Sequence, residues 1–233
     1  MKNLKKISFL LGLVTILFSS CNKDDDNSTP GSGTTTSFTS ADLTAKIPTS
    51  LATKSPETSS QINSMVGYMS IGEAFKQTRP AAKMANKSAG GTDTWTYGEY
   101  TITYTGSDNS TQHQYTYTIK QGSTTLYTIT GWDNINGTAG HWVLDMSAAI
   151  TYGTAISIDF DWAKNSSNDF NLDMVVTAGS ETTEHLVANI NHDSSGNVKG
   201  YYGSTLSFES TWNSSGSGQY INYETNPATT TNY

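Results

Sequence analysis

From Thr92 to Tyr223 apolar and polar residues alternate with a period of two, broken at short intervals by glycine, asparagine, aspartate and serine. That alternation marks half-buried strands joined by tight polar turns. Trp95 and Tyr97 open the series, and Tyr100, Ile102 and Tyr104 continue it after a parity shift at Gly98 that predicts a β-bulge. The runs 115–119, 126–132, 140–146, 156–162, 170–176, 186–190, 206–212 and 220–223 follow, each with one apolar side. The expected fold is therefore mainly β, an antiparallel meander of about 8–10 strands closing as a half-barrel, barrel or sandwich. One side of such a sheet packs and the other meets water.

Upstream of the strands the period lengthens. Ile62, Met65, Val66 and Met69 recur at helical spacing, with Ser59 or Ser60 available as a cap and Pro80 as a stop. Gly67 and Gly72 lie inside this run and cost nearly 1 kcal/mol each relative to alanine. So short a helix is marginal alone, and it is expected to pack on the sheet as a single N-terminal helix. The segments 1–20, 21–40, 41–91 and 92–233 then read as an export signal, a tether, a partly helical segment with linker, and the β-domain.

An echo runs through the strand region. Trp132-Asp133-Asn134-Ile135-Asn136-Gly137 precedes Gly140, His192-Asp193-Ser194-Ser195-Gly196 precedes Gly200, and Trp212-Asn213-Ser214-Ser215-Gly216 precedes Gly218. Each predicts a turn with positive φ followed by an aromatic ring lying over a strand glycine. The spacing is not constant, so these are consecutive hairpins and not a propeller or solenoid repeat.

The first residues carry an address. Lys2, Lys5 and Lys6 precede an apolar core from Ile7 to Phe18. Its helical length of about 18 Å is too short for a hydrocarbon layer of about 30 Å, which makes it a cleaved signal. Leu17-Phe18-Ser19-Ser20-Cys21 resembles a bacterial lipobox, whose cysteine is acylated and becomes the new N-terminus. Lys23, Asp24, Asp25 and Asp26 then resemble the lysine-plus-acidic export tag of surface-exposed lipoproteins of Bacteroidota. The resemblance covers only about the first 26 residues, and it implies an outer-membrane protein held by acyl chains on Cys21 and facing outward. A periplasm-facing lipoprotein is the alternative. The linker that follows, 27–40, has a reach of about 20 Å.

Charge narrows the partners. The chain is net −7, and between Gly91 and Tyr233 the only lysines are Lys120, Lys164 and Lys199. A nucleic-acid partner needs the opposite sign. The single cysteine rules out a disulfide framework or a cysteine-based metal cluster. No cofactor and no metal site is expected: His113, His141, His185 and His192 lack ligand spacing, and Glu184-His185 and His192-Asp193 are adjacent pairs.

Two side-chain sets could carry function. Asp159 and Asp161 lie at i and i+2, opposite Ile158, Phe160 and Trp162, with Asp173 within reach on the next strand. Carboxylates about 6–7 Å apart on one strand face could serve glycoside hydrolysis. The pattern resembles faintly the catalytic strand of jelly-roll glucanases, but their glutamates are missing, and the favoured reading is a solvated acidic face of a protein that is not an enzyme. The other set is aromatic: Tyr97, Tyr115, Tyr117, Trp132, Trp142 and Tyr202 are candidates for ligand stacking. They point to a non-catalytic β-domain that binds a glycan, a protein or another macromolecule. The helix followed by a meander also resembles loosely the half-barrels of periplasmic lipoprotein carriers or a lipocalin-type barrel. That resemblance implies a carrier of a lipid or other apolar ligand, which needs a hollow interior.

Overall fold

A computed structural model describes residues 39–77, 91–151 and 153–233. The strands are β1 (Gly91–Tyr97), β2 (Tyr100–Asp108), β3 (Gln112–Gln121), β4 (Thr124–Asn134), β5 (Ala139–Met146) and β6 (Ile156–Lys164). They continue as β7 (Phe170–Ala178), β8 (Glu181–Ile190), β9 (Gly196–Tyr202), β10 (Thr205–Trp212), β11 (Gly218–Asn222) and β12 (Thr229–Asn232). All twelve form one sheet in sequence order, every neighbour antiparallel. A single sheet is not a sandwich. Among the described residues β1 pairs with β2 alone and β12 with β11 alone, so the sheet is not closed into a barrel either.

The strand count exceeds the sequence expectation for identifiable reasons. Gly98 is not a bulge but the first residue of a two-residue turn between β1 and β2, with φ +59°. Gly122-Ser123, Gly179-Ser180 and Gly203-Ser204 repeat that turn, and only the glycine of each pair has positive φ. This is the type II′ hairpin, whose first central position glycine fills without steric cost. True register shifts lie elsewhere, at Ile119/Lys120, Val176/Thr177 and Leu206/Phe208. β12 escaped the hydrophobic pattern because Thr229–Asn232 has no apolar residue.

Because strands alternate in direction, the β2–β3, β4–β5, β6–β7, β8–β9 and β10–β11 hairpins gather at the opposite end, and they use different chemistry. Asn109, Asn134, Asn165, Asp193 and Asn213 each accept backbone N–H bonds from residues two to five positions on. These Asx turns share that end with positive-φ residues, Gly137 at +65°, Asn168 at +63°, Ser194 at +72° and Gly216 at +71°, as the echo predicts for the turns after Trp132, His192 and Trp212.

Asp169, in the β6–β7 loop, is held harder still. Its carboxylate accepts from Asn165 Nδ2 at 2.9 Å, from the His192 backbone N–H at 2.9 Å, and contacts His192 Nδ1 at 3.0 Å. The Asn165 bond, then the two from His192, hold its pKa down to about 2. A depressed carboxyl stabilises the fold above its unfolded value of about 3.9, and that contribution is lost as pH falls through the folded value. Urea melts of wild type and Asp169→Asn should therefore diverge most above about pH 4 and converge toward pH 2. A gap that stays constant across that range would contradict the assignment.

Among the described residues three helices precede the sheet: α1 (Ser40–Thr44), α2 (Leu51–Lys54) and α3 (Pro56–Gln77). The sequence expectation of one short helix starting near Ser59 is corrected. α3 starts at Pro56, whose fixed φ and missing N–H suit the first helical position. α1 opens on a capping box, in which Asp42 N–H donates to Thr39 Oγ1 at 3.2 Å and Thr39 N–H donates to Asp42 Oδ2 at 2.8 Å. No helix among the described residues is long and apolar enough to cross a membrane.

α3 lies on the inner face of the sheet. Ile62, Met65, Met69 and Ile71 join Leu43 and Leu51 in one buried cluster with Trp142, Phe160, Met174, Leu186 and Val198. A chain of hydroxyls links helix and sheet. Ser55 and Thr58 share a hydrogen bond of 2.7 Å, Thr58 and Ser210 one of 2.7 Å, and Ser210 and Tyr233 one of 2.8 Å. Two of the three expected rings over glycines are present, Trp162 over Gly140 and Phe208 over Gly200, each from the paired strand position; Gly218 instead meets the Thr211 backbone, and Trp212 covers Gly196.

Candidate functional site

The register divides the aromatics between two faces. Tyr115 and Tyr117 share parity with Ile119, and Trp142 shares it with Leu144 and Met146, so all three point inward. They are 8%, 2% and 2% exposed, which removes them from a stacking surface. Tyr117 packs against Tyr104 at 4.8 Å between ring centroids, and Trp142 stacks on Phe160 at 5.4 Å. Burial, with Asp133 nearby, pushes the Tyr115 phenol well above its ordinary pKa.

Trp132 has the opposite parity. It aligns with Thr128 and Thr130 on β4, and its strand partners are Gln114 on β3 and His141 on β5, both facing outward. The indole stacks on the His141 ring at 6.3 Å with an interplanar angle of 28°. Beside this pair lies a groove of about 460 Å³ lined by Thr105, Ser107, Gln114, Thr116, Thr130, Trp132 and His141, with backbone of Gly106, Tyr115 and Gly131 completing it. The lining thus offers one large ring, one amide and several hydroxyls, with no lysine or arginine.

One strand further on, the outer face turns acidic. His141, Asp161 and Asp173 are consecutive partners across β5, β6 and β7. His141 Nδ1 lies 3.0 Å from Asp161 Oδ1 and 3.3 Å from Asp159 Oδ1, and His185 Nε2 lies 2.9 Å from Asp173 Oδ1. Partial burial raises the Asp159 pKa; His141 opposes that shift, while Asp161, Asp173 and Asp145 add to it. Two carboxylates directly opposite each other, as Asp161 and Asp173 are, repel. The expected Asp159–Asp161 pair is thus real as a juxtaposition, but an imidazole stands between the carboxylates. The His141, Asp159 and Asp161 donor atoms lie within 4.8 Å of one another, close enough for one metal ion to bridge, a grouping that sequence spacing did not suggest.

Tyr202 is exposed, at 67%, but on β9, five strands from Trp132. Tyr97 sits at the end of β1, and its side chain is outside what is described. Cys21, Lys23, Asp24, Asp25 and Asp26 lie outside the described residues as well. Sequence reasoning missed Gln114 and Ser107, and also Tyr201, which stacks on His185 at 5.1 Å. Parity was the available signal for Trp132: it shares a face with threonines, whereas the buried rings share theirs with isoleucine, leucine and methionine. Comparisons of the chain with protein families, with curated proteins and with solved structures give no match.

Proposed function

We propose that this chain is a lipid-anchored outer-membrane protein, facing outward, whose β-domain binds a glycan on the outer face of its sheet without catalysing a reaction. The observation that supports it best is the groove at Trp132: an aromatic ring beside an amide and a row of hydroxyls is the chemistry that stacks on a sugar and hydrogen-bonds its hydroxyls. The inner face, filled by α3, offers no comparable support for a carrier of apolar ligands.

The binding half of the proposal is tested on a broad glycan array with the purified protein. Trp132→Ala should weaken the strongest signals about tenfold, because it removes the stacking ring. An array without signal, or signals indifferent to Trp132→Ala, would count against glycan binding.

The anchoring half rests on Cys21. Palmitate should label the wild type and not Cys21→Ala, and protease shaving of intact cells should release the β-domain. Replacing Lys23, Asp24, Asp25 and Asp26 by alanine should leave the label and reduce only the shaving. An unlabelled wild type would end the lipoprotein reading; a labelled but shaving-resistant one would turn the protein toward the periplasm.

A further inference from the structure

We infer that the Trp132 groove takes an amino sugar, a positively charged glucosamine-type oligosaccharide, in preference to a neutral or acidic one; this rests on the glycan reading above. The groove supplies the ring and the hydroxyls, and its charge comes from one side only. His141, which lines the groove, touches Asp161 and Asp159, and Asp161 pairs with Asp173 on the next strand.

Asp145 lies on the same outer face of β5, two residues beyond Val143 and paired with Ser157. Even with both His141 and His185 protonated, four carboxylates face two positive charges. Among the described lysines of the β-domain none offsets this: Lys164 lies three residues from Asp161 on β6, at the opposite parity. Lys199 is engaged with Glu209 at 3.7 Å, and Lys120 is six residues along β3 from Gln114, about 20 Å at strand rise.

The field over the groove's β5–β7 side is therefore negative, and the repulsion among Asp159, Asp161 and Asp173 is relieved by a cation placed there. A sugar ammonium fits both parts of the site. One ring stacks on Trp132 while the ammonium of a neighbouring ring meets the carboxylates, which begin two strands away, about 10 Å across the sheet. An acidic glycan would be repelled by the same row.

The test uses the intact lipoprotein in detergent micelles, titrated with three β-1,4-linked tetramers: glucosamine, N-acetylglucosamine and glucose. At about pH 6, where a sugar amine is protonated, and at low salt, the glucosamine tetramer should bind about tenfold tighter than the other two. That preference should shrink severalfold at about 0.5 M salt, where charges more than a few ångströms apart are screened. Asp159→Asn with Asp161→Asn should abolish this preference, and Asp173→Asn should reduce it. Equal affinity for all three tetramers would overturn the inference, as would a preference indifferent to salt and to the aspartate variants. Either result leaves glycan binding itself intact. Only failure to bind any tetramer, together with an empty array, would sink the glycan reading with it.

Discussion

Phe160→Ala should destabilise the protein by about 3–5 kcal/mol, the cost of removing a large ring from a core that cannot close around the gap. Phe160 is 0% exposed at the centre of β6, between Trp142 on β5 and Met174 on β7. Trp142 stacks on it at 18° between planes. The neighbouring residue provides the internal control. Asp161 points to the outer face, so Asp161→Ala should change stability by no more than about 0.5 kcal/mol. Urea denaturation of the two variants should show a large drop in midpoint for the first and almost none for the second, at similar slopes. A loss below about 1 kcal/mol for Phe160→Ala would mean that the inner face is not close-packed.

The second large effect reverses a propensity rule within one helix. Alanine is favoured over glycine by about 1 kcal/mol in a helix interior, and Gly67→Ala should realise most of that, since an added methyl there meets nothing within 4 Å. Five residues on, the same change should destabilise by about 1–3 kcal/mol. A methyl on Gly72 would lie 2.4 Å from Trp142 Nε1 and 2.6 Å from its Cδ1, so helix and sheet would have to separate. The indole cannot swing aside, because its other face rests on Phe160. Thermal melts of the two single variants should therefore move in opposite directions. A stabilised Gly72→Ala would show that α3 does not sit against β5.

What the sequence disclosed follows the same division between pattern and partner. The two-residue period was legible because one face of each strand is apolar, and it gave the strand class and the antiparallel meander. It could not separate β1 from β2, since Gly98 reads equally as a bulge or a turn until its hydrogen-bonded partner is known. It could not see β12, which pairs through its backbone with β11 and buries nothing. α3 was legible from Ile62 to Met69, but its first turn, where Thr58 bonds Ser210 on β10, carries no apolar periodicity, and that contact joins residues 152 positions apart. The candidate site divided in the same way. Trp132 was a candidate as an aromatic, but the groove exists only because Gln114 and His141 stand on either side of it in register.

The strictly sequential order of the sheet bears on how the chain folds. Every ladder joins neighbours in sequence, so each hairpin closes only a short loop, and the entropic toll of pairing is as low as an all-β chain can have. Non-local ordering is concentrated in α1–α3, where Ser50 bonds Ser215 and Thr58 bonds Ser210. A sheet that zips one hairpin at a time and is then locked by a long-range helix separates early from late events. Core residues shared by adjacent strands should govern the folding rate, while the Thr58–Ser210 lock should govern the rate of unfolding. The same topology gives a route to growth: a hairpin inserted or lost at the β1 end of the sheet alters no other strand's register.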